Sequence, residues 1–355
     1  MTTVTGGWVT PKGMWWGLSL TGAEAVVSPA DSAASPATGP GTSRPPRDLQ
    51  RTFQLVLATV WLLDAVLQIQ PFMFKRGPDG FSGLLNSVAG GNPAWIAHTI
   101  TWNASIVYHH PILTDSVFAG IQFLIAIGIV YPRTIRPALS LSIVWAAAVW
   151  WFGEGLGGVF SGRATPFGGG PGGVLFYAVL AVLLWPSHGT DRPFVAARSV
   201  GVRAAKAIWV VLWALLALLC LVGSGRSPMA LHGLVVGMDH GQPGWLSRID
   251  GSSASLLLRH GTTMAVLLAI VCLVVAVGVY LPPRVTRMAI VVAVVAFALI
   301  WVAVENVGGI LAGGATDPNS GLPVVLIALA YWPLTTDPAP SGAVDADRSI
   351  VPQEA

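Results

Sequence analysis

Apolar residues run along this chain in eight stretches, at about 53–74, 113–131, 137–153, 173–186, 207–223, 262–281, 288–304 and 321–334, parted by polar and glycine- or proline-rich segments. Most have the roughly 17–25 residues that a ~30 Å hydrocarbon core demands of a helix. The fourth and eighth stretches have 14 residues each and span only ~21 Å. Their N-termini are predicted to lie below the outer surface, fed by loops rich in Gly, Pro and Asn. Irregular backbone at that depth has to be buried in protein or line a wet cavity. Within the long outer loops, Phe81–Val88 and Ala94–Val107 carry enough apolar residues to lie as short surface helices.

The pattern repeats. Trp-Phe-Gly-Glu-Gly-Leu-Gly-Gly from Trp151 to Gly158 is echoed by Trp-Val-Ala-Val-Glu-Asn-Val-Gly-Gly from Trp301 to Gly309. Glu154 matches Glu305 at an offset of 151, as do Arg133 and Arg136 with Arg284 and Arg287. The outer loops correspond too, Gly91–Trp95 with Gly241–Trp245 and His110 with His260. An internal repeat sets the architecture before any local reading. The expected fold is an all-α integral membrane protein with eight transmembrane helices in two tandem four-helix repeats, residues 49–190 and 191–334. An even number of spans per copy makes the repeat parallel, with an axis along the membrane normal.

Composition agrees: 54% of residues are apolar, 10% are charged and the mean hydropathy is +0.68, which excludes a water-soluble globule. Arginine placement gives the orientation. Arg44, Arg47, Arg51, the turns at Arg133/Arg136 and Arg284/Arg287, and Arg192–Lys206 all fall on one side of the eight-span arrangement. Lys and Arg concentrate on the cytoplasmic side, so both termini are predicted there, in the cell membrane. Residues 1–48, rich in Ala, Ser, Pro and Gly, are expected to form a disordered cytoplasmic tail, and 335–355 a second. A cleaved leader ending near Ala23–Ala25 would put Arg44–Arg51 outside, against the charge rule. The pI near 9.1 reports these loop arginines and points to lipid as the partner, with no nucleic acid.

Polar residues gather at one depth. Counting from the arginine turns, Glu154 and Glu305 lie ~27 Å across, and Asp64, 13 residues after Arg51, lies ~20 Å across with Gln68 one turn beyond it. An intramembrane carboxylate costs ~2.5–3.5 kcal/mol, so it faces protein or water rather than lipid. Asp64, Gln68, Glu154, Glu305 and Asn306 are the candidate ligand-binding residues; for Asp64 the competing role is structural hydrogen bonding between helices. For the glutamates it is capping the glycine-rich loops before the short helices, near residues 168–174 and 319–324, where free N–H groups favour a carboxylate. Gly153/Gly157, Gly158/Gly162 and Gly309/Gly313 have the spacing of close helix packing. A metal set of His109, His110, His232, His240, His260 and Met238 would suit copper by softness, although no spacing matches a recognised site. There is no Walker loop, dinucleotide fingerprint or zinc-protease motif.

The run Gly128-Ile-Val-Tyr-Pro-Arg-Thr-Ile-Arg-Pro-Ala-Leu139, repeated as Gly278-Val-Tyr-Leu-Pro-Pro-Arg-Val-Thr-Arg-Met-Ala289, resembles the second-to-third helix junction of the DoxX/DoxD-like membrane proteins. The Trp151–Gly158 element looks like one found in uncharacterised actinobacterial multipass proteins. The first resemblance covers about 40 residues per half. It implies four-helix units and a quinone-linked or redox-partnered membrane subunit, with quinone as the cofactor to expect. The sequence thus predicts an outward-facing polar pocket in a redox-linked or small-ligand-binding accessory subunit. The alternatives are a permease for a small solute or metal ion, and a structural scaffold.

Overall fold

The computed structural model describes residues 48–187, 192–238 and 241–334. Helix makes up 77% of these, with no strand among them. Five helices are long and apolar enough to cross a membrane, which is the character of a multi-pass membrane protein. In hydrocarbon a helix satisfies its own backbone, so this is the secondary structure that such a sequence can afford there.

Among the described residues twelve α-helices follow in order. The first half holds α1 (Leu49–Leu67), α2 (Pro71–Phe74), α3 (Phe81–Ala89), α4 (Ala94–His109), α5 (Pro111–Val130), α6 (Ile135–Phe152) and α7 (Gly173–Leu183). The second holds α8 (Ala196–Leu221), α9 (Pro228–Met238), α10 (Gly244–Gly278), α11 (Pro283–Ala303) and α12 (Gly321–Ala330). The five membrane-length helices are α5, α6, α8, α10 and α11. Their outer faces expose Leu124, Val144, Val211, Val274 and Leu299, large apolar side chains that only a nonpolar surrounding would favour.

Neighbouring helices pack α1 on α5, α5 on α6 and α6 on α7, then α8 on α10, α10 on α11 and α11 on α12, while α7 and α12 touch each other. One continuous apolar core joins these eight. A second cluster, around Met73, Leu85, Ile96 and Ile100, lies under α2, α3 and α4. Helix crossings are close where small residues meet: a Cβ on Gly128 would stand 2.7 Å from that of Ala138, and one on Gly278 2.6 Å from that of Ala289. Polar side chains tie off helix ends whose carbonyls have no intrahelical partner. Arg51 donates to Ile129 O at 2.8 Å and also to Val130 O, closing α5. Gln50 and Gln54 donate to Trp185 O and Leu184 O, each at 2.8 Å, at the end of α7.

Several expectations change. The first apolar stretch does not run as one helix to residue 74. α1 stops at Leu67 with Gln68 as its C-cap, and the chain restarts at Pro71, which has no N–H to continue a helix. Asp64 therefore sits in the last turn of a helix rather than near its middle. Helices stand at Phe81–Ala89 and Ala94–His109, where short helices were expected over Phe81–Val88 and Ala94–Val107. The segment expected as the second outer loop is far more helical than its sequence suggested: α9 fills part of it, and α10 runs back through it, broken at His260 where φ is −129°. Its counterpart His110, also at φ −129°, parts α4 from α5. The tails at 1–47 and 335–355 lie outside the described residues.

Candidate functional site

The glycines after α6 and α11 do not form a helix-packing face. Gly155, Leu156, Gly157 and Gly158 have φ of 58°, 54°, 61° and 71°, and Asn306, Val307, Gly308 and Gly309 have 53°, 55°, 70° and 71°. Each set is one turn of left-handed backbone, which costs an L-residue ~1–2 kcal/mol and is close to free for Gly. Gly157 is required a second time, since a Cβ there would overlap Pro171 O at 1.6 Å. The turn folds the following loop back so that Trp150 Nε1 donates to Pro171 O at 2.6 Å. In the second half Trp301 Nε1 donates to Pro318 O at 2.7 Å.

This fold-back brings each glutamate to the N-terminus of a short helix. Glu154 Oε1 accepts from Val174 N at 3.1 Å, in the first turn of α7. Glu305 Oε2 accepts from Gly321 N at 3.0 Å, at the start of α12, and its Oε1 accepts from Ser320 Oγ at 2.5 Å. Both carboxylates thus meet donors inside the segments named from sequence, where the first N–H groups of a helix are free. They differ in one respect. Both oxygens of Glu305 are satisfied and the residue is 0% exposed, whereas Glu154 Oε2 is buried with no partner. Asn306 is equally buried; with its amide nitrogen turned inward it donates to Asp250 Oδ2 at 3.0 Å.

Asp64, Gln68 and Glu154 share the wall of a cavity of about 850 Å³. The cavity also takes in Gln122 of α5, Trp145 of α6 and the loop residues Thr316 and Asp317. Asp64, 2% exposed, accepts from Tyr177 Oη at 3.2 Å; the Tyr177 ring lies edge-on to Trp61 at 4.8 Å. Gln68 Nε2 donates to Thr316 O at 3.3 Å, so a residue of α1 is held by the loop before α12. Asp317 is fixed by its own loop, Oδ1 accepting from Asn319 N at 2.7 Å and Oδ2 from Thr316 Oγ1 at 2.8 Å. Glu305 and Asn306 are not among the residues of this wall.

The described histidines do not come together. His109 and His110 are exposed at the junction of α4 and α5, and His109 Nδ1 sits 2.7 Å from Ser105 O. His232 Nδ1 is 3.1 Å from Ala254 O, and His260 is exposed at the break in α10. His240 lies outside the described residues, and Met238 reaches the cavity alone of this set. Among the described residues no three of His, Cys, Asp or Glu are grouped to hold a metal ion.

Sequence reasoning missed Gln122, Trp145, Tyr177, Asp250 and Asp317. Asp317 was the most legible, an acidic residue in the Gly/Pro/Asn loop that leads into a helix too short to cross the bilayer. Tyr177 and Gln122 gave no signal, being single polar groups in otherwise apolar runs.

Fold and site together define an all-helical membrane protein with a polar, acid-bearing cavity walled largely by apolar side chains. Comparison with protein-family models, curated proteins and solved structures finds no match to the chain. The likeness to DoxX/DoxD-like and actinobacterial proteins thus rests on the quoted residues alone.

Proposed function

We propose that this is an eight-span membrane protein of two tandem four-helix repeats, and that it holds a small amphipathic ligand in the cavity at Asp64, Gln68 and Glu154. The spans are α1, α5, α6, α7, α8, residues 261–278 of α10, α11 and α12. Duplication is supported by the paired details: the breaks at His110 and His260, the crossings at Gly128 and Gly278, and the tryptophan bonds to Pro171 O and Pro318 O. The arginine turns support a cytoplasmic location for both termini and a cavity toward the outer leaflet of the cell membrane.

One observation carries the ligand reading. Gln68 Oε1, Gln122 Oε1, Glu154 Oε2 and Trp145 Nε1 are buried without partners, and all four belong to residues on the wall of this one cavity. Native structures leave few such atoms, and each unmet one costs ~1–3 kcal/mol. A ligand with donors and an acceptor in its polar head would meet them. Amines bring such donors, and so does the hydroquinone form of a quinone head group; both have the size and polarity for the space. A bound quinone would make the chain a redox-linked accessory subunit, in keeping with the DoxX-like turn residues.

A transporter is the second reading. It is favoured by walls drawn from both halves and by the interrupted backbone before α7 and α12, the setting in which transporters place their sites.

Purified from native membrane, the wild-type protein is expected to release a small molecule on solvent extraction that Glu154→Gln does not retain. Wild-type protein that carries nothing would sink the ligand reading. Saturable flux in proteoliposomes, abolished by Asp64→Asn, would select transport.

A further inference from the structure

The charge of the cavity narrows the ligand class; the argument rests on the ligand reading above. Asp64 reaches the wall from α1, Glu154 from the turn after α6, and Asp317 from the loop before α12, and Asp317 lies within electrostatic reach of the other two. No Lys, Arg or His is among the described residues of the wall. The groups facing the three carboxyls are the Tyr177 hydroxyl, loop amides and Thr316, which are neutral, and Glu305, which is acidic and lies within electrostatic reach of Asp317. Acidic groups removed from water are neutralised by a proton or paired with a cation, because their desolvation is large. The apolar part of the wall includes the indoles of Trp61, Trp102 and Trp145, whose faces attract cations. The side chains of Gln68 and Gln122 are 4% and 6% exposed, and each leaves an Oε1 acceptor unmet.

We propose that the ligand is a lipophilic organic cation, a protonated or quaternary amine with apolar substituents. Glu154 and Asp64 act as its counter-ions and the indoles pack against its substituents. An anion would find no positive side chain among the described residues of this wall, and a quinone, which brings only acceptors, would leave the Gln68 and Gln122 oxygens unmet.

The two halves explain why only one glutamate is available. Ser320 saturates Glu305 Oε1 with its hydroxyl; counting back from the shared Trp-Pro closures, Trp185-Pro186 and Trp332-Pro333, the corresponding residue is Gly173. Gly173 has no hydroxyl, so Glu154 Oε2 stays unmet. A Cβ at Gly173 would come 3.2 Å from the Asn319 carbonyl carbon, a contact that a small shift of the loop relieves.

Full-length protein in detergent would be titrated with tetraphenylphosphonium, with tetraphenylborate (the same shape with opposite charge) and with duroquinone. Tetraphenylphosphonium should bind saturably and tetraphenylborate should not. Glu154→Gln and Asp64→Asn should each weaken phosphonium binding by about tenfold or more, as loss of a buried counter-charge does, and Gly173→Ser should weaken it by occupying Glu154 Oε2 with a hydroxyl donor. Asp64→Asn keeps an oxygen for Tyr177, and melting temperatures close to wild type would show that each variant folds. Phosphonium binding indifferent to all three variants overturns the proposal. Saturable duroquinone binding without phosphonium binding overturns it too, yet leaves the ligand cavity standing. Saturable binding by none of the three probes overturns both readings.

Discussion

Ser320 donates its hydroxyl to Glu305 at 2.5 Å, and this one contact separates two glutamates that are alike in sequence setting. Both follow an apolar helix and precede a left-handed turn, and both cap a short helix. With the hydroxyl present, Glu305 is a closed structural element. At Gly173 there is none, and Glu154 keeps an acceptor free on a cavity wall.

Glu305→Ala should destabilise the protein by about 1–3 kcal/mol, since Ser320 Oγ and Gly321 N would be left buried and unpaired. Thermal melting of the detergent-solubilised protein measures this. Glu154→Ala should cost less, because Glu154 Oε2 has no hydrogen-bond partner to lose. Equal losses would refute the distinction drawn between the two.

Tyr177→Phe removes the donor to Asp64 and should lower stability by about 0.5–1.5 kcal/mol. In a double-mutant cycle with Asp64→Ala the two changes should be non-additive, because they break the same contact. Additive melting shifts would show that the two side chains do not interact.

Gly128→Ala should force α5 and α6 apart, at a cost of about 1–3 kcal/mol, because its Cβ would stand 2.7 Å from that of Ala138. Adding Ala138→Gly moves the methyl group to the other side of the crossing and should restore most of the melting temperature. Failure of that rescue would mean that the crossing is not where the cost arises.

Cation binding should weaken as pH falls. Protons and the cation compete for Asp64, Glu154 and Asp317, and a protonated carboxyl offers no counter-charge. The Tyr177 hydroxyl and the loop amides that face these groups are neutral in the acidic range and leave the sign unchanged. Tetraphenylphosphonium titrations over a pH series measure it; affinity that rises on acidification contradicts the counter-ion role.

Reporter fusions after Arg47, after Pro282 and after Asp337 should all report cytoplasm. An external signal at any of them would break the eight-span arrangement.

The sequence by itself determined the elements that report on lipid and on local backbone. Runs of apolar residues marked the membrane helices, because burying apolar length in hydrocarbon depends on composition alone. Glycine-rich runs beside Glu154 and Glu305, followed by short helices, marked where carboxylates would meet free N–H groups, because helix ends lack partners whatever surrounds them. The end of α1 was misjudged, since Phe72, Met73 and Phe74 are apolar enough to extend the run while Pro71 breaks the helix. The four-residue glycine spacing was misread for a similar reason: spacing does not distinguish a helix face from a left-handed turn.

Only the tertiary structure decided that Asp64, Gln122, Glu154 and Asp317 share one wall while Glu305 does not. In a water-soluble helix the polar face shows which side is outward. Here both core and lipid are apolar, so periodicity does not say which way a lone Gln122 or Tyr177 points. Which groups meet depends on how the helices cross, at Gly128 against Ala138 and where α7 touches α12, and on a left-handed turn that carries the loop back over the glutamate.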